Sequence, residues 1–205
     1  VLDAAGDRFV LMLGGEHSLS GPPIAAWLDR LRGAGAGGGS RGLSVLQVDA
    51  HTDLRPEYEG TPHSHAAVMH GIQDRVDALV AVGIRALTSE EAALVGSRDN
   101  LHVFYADDIH DSWEWIDDVV ERLGPDVYIS VDVDGFDPAL VPSTGTPEPG
   151  GLQWYPVLEL LRRVFAEKTV HAADIVELAP IPGMPAPDFL VAKLAYKMIG
   201  YRHGV

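Results

Sequence analysis

Six short apolar runs punctuate the chain, each ending at turn-forming residues and each followed by a stretch of helical periodicity. Few folds accept that rhythm. A run that is apolar on both faces has to be covered from both sides, as in a parallel sheet flanked by helices; an antiparallel sheet with one wet face would show alternation instead. The expected class is therefore α/β. Strands are expected at 9–13, 43–48, 79–82, 101–104, 127–133 and 170–176, and helices at about 18–32, 66–74, 89–95, 112–123, 155–165 and 188–201. Ser89 before two glutamates, and Asp188 before an apolar helical run, read as helix starts.

Composition narrows the function classes. With 205 residues, 46% hydrophobic and 22% charged, the chain is expected to build one core and a single domain over 1–205. No apolar run approaches the roughly 20 residues that cross a bilayer, so no membrane partner is expected. The opening VLDAAGDRFVLML has neither the basic start nor the cleavage pattern of a signal peptide, which makes the cytoplasm the default location. A net charge of -15 argues against nucleic acid and tolerates cationic substrates and metals. There is no cysteine, so any metal must sit on oxygen and imidazole. The segment GAGAGGGSRG at 33–42 follows a helix and precedes a strand, the reverse of a phosphate loop, and reads as a surface connection.

The chemistry sits at the ends of apolar runs. Asp49, His51 and Asp53 alternate directly after 43–48, and in extended geometry alternate side chains share a side. Asp132 and Asp134 repeat this at the end of another run, and His17, in Gly14-Gly15-Glu16-His17-Ser18, follows a third. Open parallel sheets bind ligands beyond the carboxyl ends of their strands, so the three segments converge. One aspartate at a strand end is ordinarily a turn or cap residue. Four carboxylates and two imidazoles in one place would repel without cations, and six ligands exceed what one ion needs. The pattern therefore indicates two divalent ions, and its oxygen-rich donors suit manganese better than structural zinc.

In this order, GGEHS, DAHTD and SVDVDGFDP resemble the signature blocks of the ureohydrolase family, which includes arginase and agmatinase. The likeness continues through TGTPEPGGL at 144–152 and DIVE at 174–177. The resemblance implies a three-layer α/β/α fold, shared in outline with metal-dependent deacetylases, and two Mn2+ ions that activate water to attack a guanidinium carbon. It implies one ion held by His17, Asp49, Asp53 and Asp132 and the other by Asp49, His51, Asp132 and Asp134, with Asp49 and Asp132 bridging. It makes His65 the match for the proton donor, His63 being the alternative, and Glu177 the match for an acidic guanidinium anchor. Trimers or hexamers are implied. Family members have a longer segment before GGxHS that includes the first sheet strand, whereas this sequence opens 13 residues before it, so that strand is expected to be absent.

The substrate's far end is read from LRPEYEGTPHSH, which follows Asp53. Glu57 and Glu59 are candidate contacts for a distal ammonium, as in agmatine, which would be cleaved to putrescine and urea. Arg55 is the counterargument, because it can neutralise a glutamate or bind the carboxylate of guanidinobutyrate or another guanidino acid, and arginine stays open too. His70, His102, His110, His171 and His203 fall in no motif and read as ordinary surface or core residues. Two rivals remain: a deacetylase-like reaction, disfavoured by the full ligand set, and a non-catalytic metal-binding homologue.

Overall fold

Val, Ile and Leu dominate Ser44–Val48 and Asp126–Asp132, and both segments are wholly buried, side by side and parallel, in the computed structural model, which describes residues 2–6, 8–34 and 41–205. They are β2 and β5 of one six-stranded sheet. The other strands are β1 (Val10–Leu13), β3 (Ala78–Ile84), β4 (Leu101–Tyr105) and β6 (Thr169–Val176), in the order β1-β6-β5-β2-β3-β4. Every pairing is parallel. The two edge strands are the less buried ones, because each lacks a neighbour on one side.

Among the described residues seven α-helices accompany the sheet: α1 (Leu2–Ala5), α2 (Gly21–Ala34), α3 (Ser89–Gly96), α4 (Ala106–Ile109), α5 (Trp115–Arg122), α6 (Trp154–Glu167) and α7 (Pro185–Arg202). On one face Leu46, Val48, Ile129 and Val131 pack with Val119 of α5, Leu160 of α6 and Leu194 of α7. On the other, Val45 and Tyr128 pack with Ile24, Trp27 and Leu28 of α2 and with Met69 and Ile72. The result is the expected three layers. At about 25 cal/mol per Å² of apolar area, these two buried layers supply most of the drive to fold.

From β2 the chain runs outward through β3 to β4, then returns to β5 and runs the opposite way to β6. The boundary between β2 and β5 is therefore the switch point at which an open parallel sheet leaves a crevice beyond its carboxyl ends. Register matches the two strands, with Gln47 opposite Ser130 and Val48 opposite Val131, so Asp49 and Asp132 leave the sheet at the same level.

Three local expectations are corrected. Residues 66–74 form no α-helix: a 3-10 turn at His65–Ala67 leads into successive turns. The amides of Met69 and His70 bond to the Asp53 carbonyl, and the Ala66 carbonyl is taken by the Arg55 amide, so the helical ladder is interrupted and only separate bonds such as Gly71 to Ala67 and Gln73 to Met69 remain. The helix α3 does begin at Ser89, but the residue that caps it is Thr88; its hydroxyl accepts from the Glu91 amide while the Glu91 side chain accepts from the Thr88 amide, a reciprocal capping box. Likewise α7 begins at Pro185, ahead of Asp188, with proline filling a first turn that needs no amide donor. Residues 35–40 of the glycine-rich 33–42 connection lie outside the described residues. Among the described residues no helix is long and apolar enough to cross a membrane.

Candidate metal centre and its cleft

His17, which lies in a 3-10 turn just beyond β1, is completely buried, and its Nδ1 faces Asp53 at 2.8 Å, Asp49 at 3.2 Å and Asp132 at 3.3 Å. His51 Nδ1 lies 3.1 Å from Asp134 and 3.6 Å from the other oxygen of Asp49. All six candidate ligands come together. They form two groups that can hold a metal, His17–Asp49–Asp132 and Asp49–His51–Asp134, which share Asp49. Asp53 closes the first group through its contact with His17.

Simple strand alternation does not produce this arrangement. Beyond β2 the backbone turns, with the His51 amide donating to Asp49 Oδ1 at 2.6 Å, and beyond β5 the Asp134 amide donates to Asp132 Oδ1 at 2.9 Å. Each turn sends successive ligands to different groups: Asp132 to His17, and Asp134 to His51. Asp53 adopts φ 54°, a left-handed conformation costing a non-glycine residue about 1–3 kcal/mol, which its doubly bonded carbonyl offsets.

The donor chemistry fits a hard divalent cation. His17 Nδ1 is buried and has no hydrogen-bond partner, although three carboxylates surround it. Ser130 explains why. Its hydroxyl donates to Asp174 at 2.7 Å, so at 2.9 Å it accepts from His17 Nε2, leaving Nδ1 as the ring nitrogen that faces the carboxylates. Although burial opposes it, these raise the affinity of the ring for a proton, whose place on Nδ1 a bound cation would take. Tyr128 donates to the other Asp174 oxygen at 2.7 Å and completes a buried string on one face of the sheet. Gln47 does the same for Asp49, donating to its Oδ2 at 2.8 Å.

Electrostatics agree. Burial and the Asp49 charge push the Asp53 carboxyl up to about 7, and the same two causes raise Asp132. Although burial opposes it, Asp134 and Asp49 push the His51 ring up to about 11. Despite its own burial, Asp49 is held below the usual carboxylate range by the two imidazoles. Protons here occupy the place that cations would take, since so many carboxylates reach neutrality only in one of those ways.

Beside this centre lies a cleft of about 330 Å³, whose walls include His51, Asp53, Arg55, Tyr58, His65 and Glu148. His65 faces it, with Nδ1 3.2 Å from Glu16 and its ring edge against Tyr58. His63, by contrast, is exposed and away from the cleft wall. Glu177 follows β6 directly at φ 64°, and its Oε1 accepts the His17 amide at 2.7 Å. Oε2 accepts no hydrogen bond among the described residues. Burial pushes its carboxyl up.

Glu57 and Glu59 are not brought to the cleft. Both are exposed: Tyr58 and Thr61 close a tight turn with Glu59 and Gly60 at positive φ, which turns the Glu59 side chain outward, and Glu57 lies just ahead of that turn. Arg55 does line the cleft; it lies over the Tyr58 ring at 5.2 Å and 4.0 Å from the buried Glu91. Glu91 also accepts from the Thr52 hydroxyl and the Leu54 amide, pinning the loop that carries Asp53. Arg85 binds the carbonyls of Gly83, Asp134, Phe136, Glu148 and Pro149. Sequence reasoning missed Glu16, Gln47, Arg85, Glu91, Ser130 and Asp174. A polar residue inside an otherwise apolar strand was the available signal for Gln47, Ser130 and Asp174.

Over residues 2–200 the chain matches the model of the arginase family. The chain belongs to that family. Among similar proteins, the N(1)-aminopropylagmatine ureohydrolase of Synechocystis sp. is 40% identical over 195 residues, covering 95% of this chain and 61% of that protein. The agmatinase of Pyrococcus horikoshii is 34% identical over 190 residues, covering 93% and 62%. The crystal structure of the agmatine ureohydrolase of Thermoplasma volcanium superposes with a TM-score of 0.78 at 31% identity, over 96% of this chain and 63% of that one. This arginase-family chain thus spans 61–62% of the length of these curated relatives.

Proposed function

We propose that this chain carries the catalytic centre of a ureohydrolase that cleaves a guanidino group from a cationic amine of the agmatine type, releasing urea and putrescine. The observation that carries the reading is the pair of ligand groups sharing Asp49, with His65 on the cleft wall beside them. In this reading His17, Asp49, Asp53 and Asp132 hold one ion, and Asp49, His51, Asp132 and Asp134 the other. Two bound divalent ions lower the pKa of water and supply a nucleophile at neutral pH. The oxygen-rich donor set supports manganese.

The chain's own residues take the remaining roles. Glu177, with Oε2 free, accepts from the planar guanidinium, a geometry suited to a carboxylate. His65, oriented by Glu16 through Nδ1, delivers a proton to the departing amine. A cytoplasmic location, a part in polyamine biosynthesis and assembly into trimers or hexamers belong to the same proposal; they rest on the family likeness.

A second substrate is favoured by a specific observation: the 40% identical relative is named for N(1)-aminopropylagmatine. That compound keeps the four-carbon spacer and adds an aminopropyl arm to the far nitrogen. The test is urea release by the manganese-loaded full-length protein from agmatine, N(1)-aminopropylagmatine, arginine and 4-guanidinobutyrate. Hydrolysis of either amine supports the reading; hydrolysis of the two guanidino acids alone, or of none, overturns it.

A further inference from the structure

The segment Thr146-Pro147-Glu148-Pro149 alternates prolines with the residues that precede them. A residue before proline is excluded from helical backbone and held extended, so Thr146 and Glu148 have to project to the same side. They do: both line the cleft, while Pro147 between them does not. The Thr146 hydroxyl donates to Asp134 at 3.2 Å, which anchors that end of the segment to a candidate metal ligand. The other end is fixed by Arg85, which binds the carbonyls of Glu148 at 3.0 Å and Pro149 at 3.1 Å.

Two residues of extended chain span at most about 7 Å, and a four-carbon chain between two nitrogens, built from bonds of about 1.5 Å, is about 6 Å long. Among the described residues no cation lies within ion-pair distance of the Glu148 carboxylate. Arg55, across the cleft, is directed to Tyr58 and Glu91.

We infer that Glu148 is the specificity-determining residue for the substrate's distal ammonium, held one spacer length from the metal centre by the Thr-Pro-Glu-Pro segment. This inference rests on the guanidino-amine reading above, and it transfers to Glu148 the role the sequence suggested for Glu57 and Glu59. The ammonium meets Glu148 when the guanidinium reaches the centre, so a neutral tail forfeits a charge-assisted hydrogen bond worth about 10–100-fold in binding.

The test compares agmatine with butylguanidine, which lacks the ammonium, in the manganese-loaded full-length wild type and in Glu148→Gln. The wild type is expected to prefer agmatine at least tenfold in kcat/KM, mostly through KM. In Glu148→Gln that preference falls to a few-fold, through a higher KM for agmatine, with the bound metal unchanged. A second variant, Glu148→Asp, draws the carboxylate back by one methylene and shifts preference from agmatine toward its five-carbon homologue. An undiminished preference for agmatine in Glu148→Gln overturns the ruler and leaves the guanidino-amine reading intact. No urea from any of these compounds with wild type overturns both.

Discussion

Across 113 positions of sequence, His17 and Ser130 meet in a 2.9 Å hydrogen bond that leaves His17 Nδ1 free to face three carboxylates. The serine is not itself a candidate ligand, yet the donor geometry of the site depends on it. Replacing Ser130 with alanine removes the acceptor that selects the tautomer and leaves Asp174 one donor short. Metal affinity is expected to fall about 10–100-fold, the usual cost of losing a ligand's outer partner. Competition with a fluorescent chelator measures it; unaltered affinity would falsify the tautomer argument.

The two ligand groups share Asp49 but not the histidines. His51→Ala is therefore expected to retain about one ion per chain, and Asp49→Ala to lose both, since a bridge serves two ions at once. Elemental analysis after desalting reads the ratio. Equal losses in the two variants would dissolve the distinction between the groups.

Gly135 packs against the start of the DAHTD turn. A Cβ there would stand 2.8 Å from the Asp49 amide nitrogen and 3.1 Å from its Cα. Gly135→Ala is expected to cost about 1–3 kcal/mol through overpacking and to weaken metal binding by displacing Asp49. Denaturant melts and chelator competition report the two effects, and a variant with wild-type values for both contradicts the proximity.

His65 pairs with Glu16, and among the described residues it makes no hydrogen bond or ion pair with any of the six candidate ligands. With metal loaded, His65→Ala is expected to hold wild-type metal while urea release slows by about 10²–10⁴-fold, the range general acid catalysis supplies. The matching His63→Ala should turn over normally. If the two variants exchange these outcomes, the proton donor is His63.

Far from the centre, Asp126 accepts from Arg41 Nε at 3.0 Å and from His171 at 2.7 Å. Although burial opposes it, these partners hold its carboxyl below the usual range. A depressed folded pKa stabilises the protein above the unfolded value, near 3.9, and the gain disappears as pH falls through the folded value. Asp126→Asn is thus expected to lower stability by about 1 kcal/mol at pH 7, Arg41 being half exposed. The gap between wild type and variant should close below about pH 4, and urea melts across that range decide whether it does.

The α/β class, the strand positions to within a few residues and the identities of the clustering ligands were legible in the sequence alone, because each depends on local information. An apolar run declares a buried strand, and an aspartate or histidine just past it sits at the strand's carboxyl end wherever that strand lies in the sheet. What the tertiary structure decided depends on partners distant in sequence. The 66–74 segment has helical periodicity, but the Asp53 carbonyl and Arg55 amide interrupt its helical ladder. Glu57 and Glu59 sit beside the ligands in sequence and turn away in space, while Glu148 arrives from the far side of the chain because Arg85 pins its carbonyl. His17 is a plausible ligand in the sequence; its free nitrogen is assigned only once β5 and β6 bring Ser130 and Asp174 beneath it, and register between strands is a property of the whole sheet.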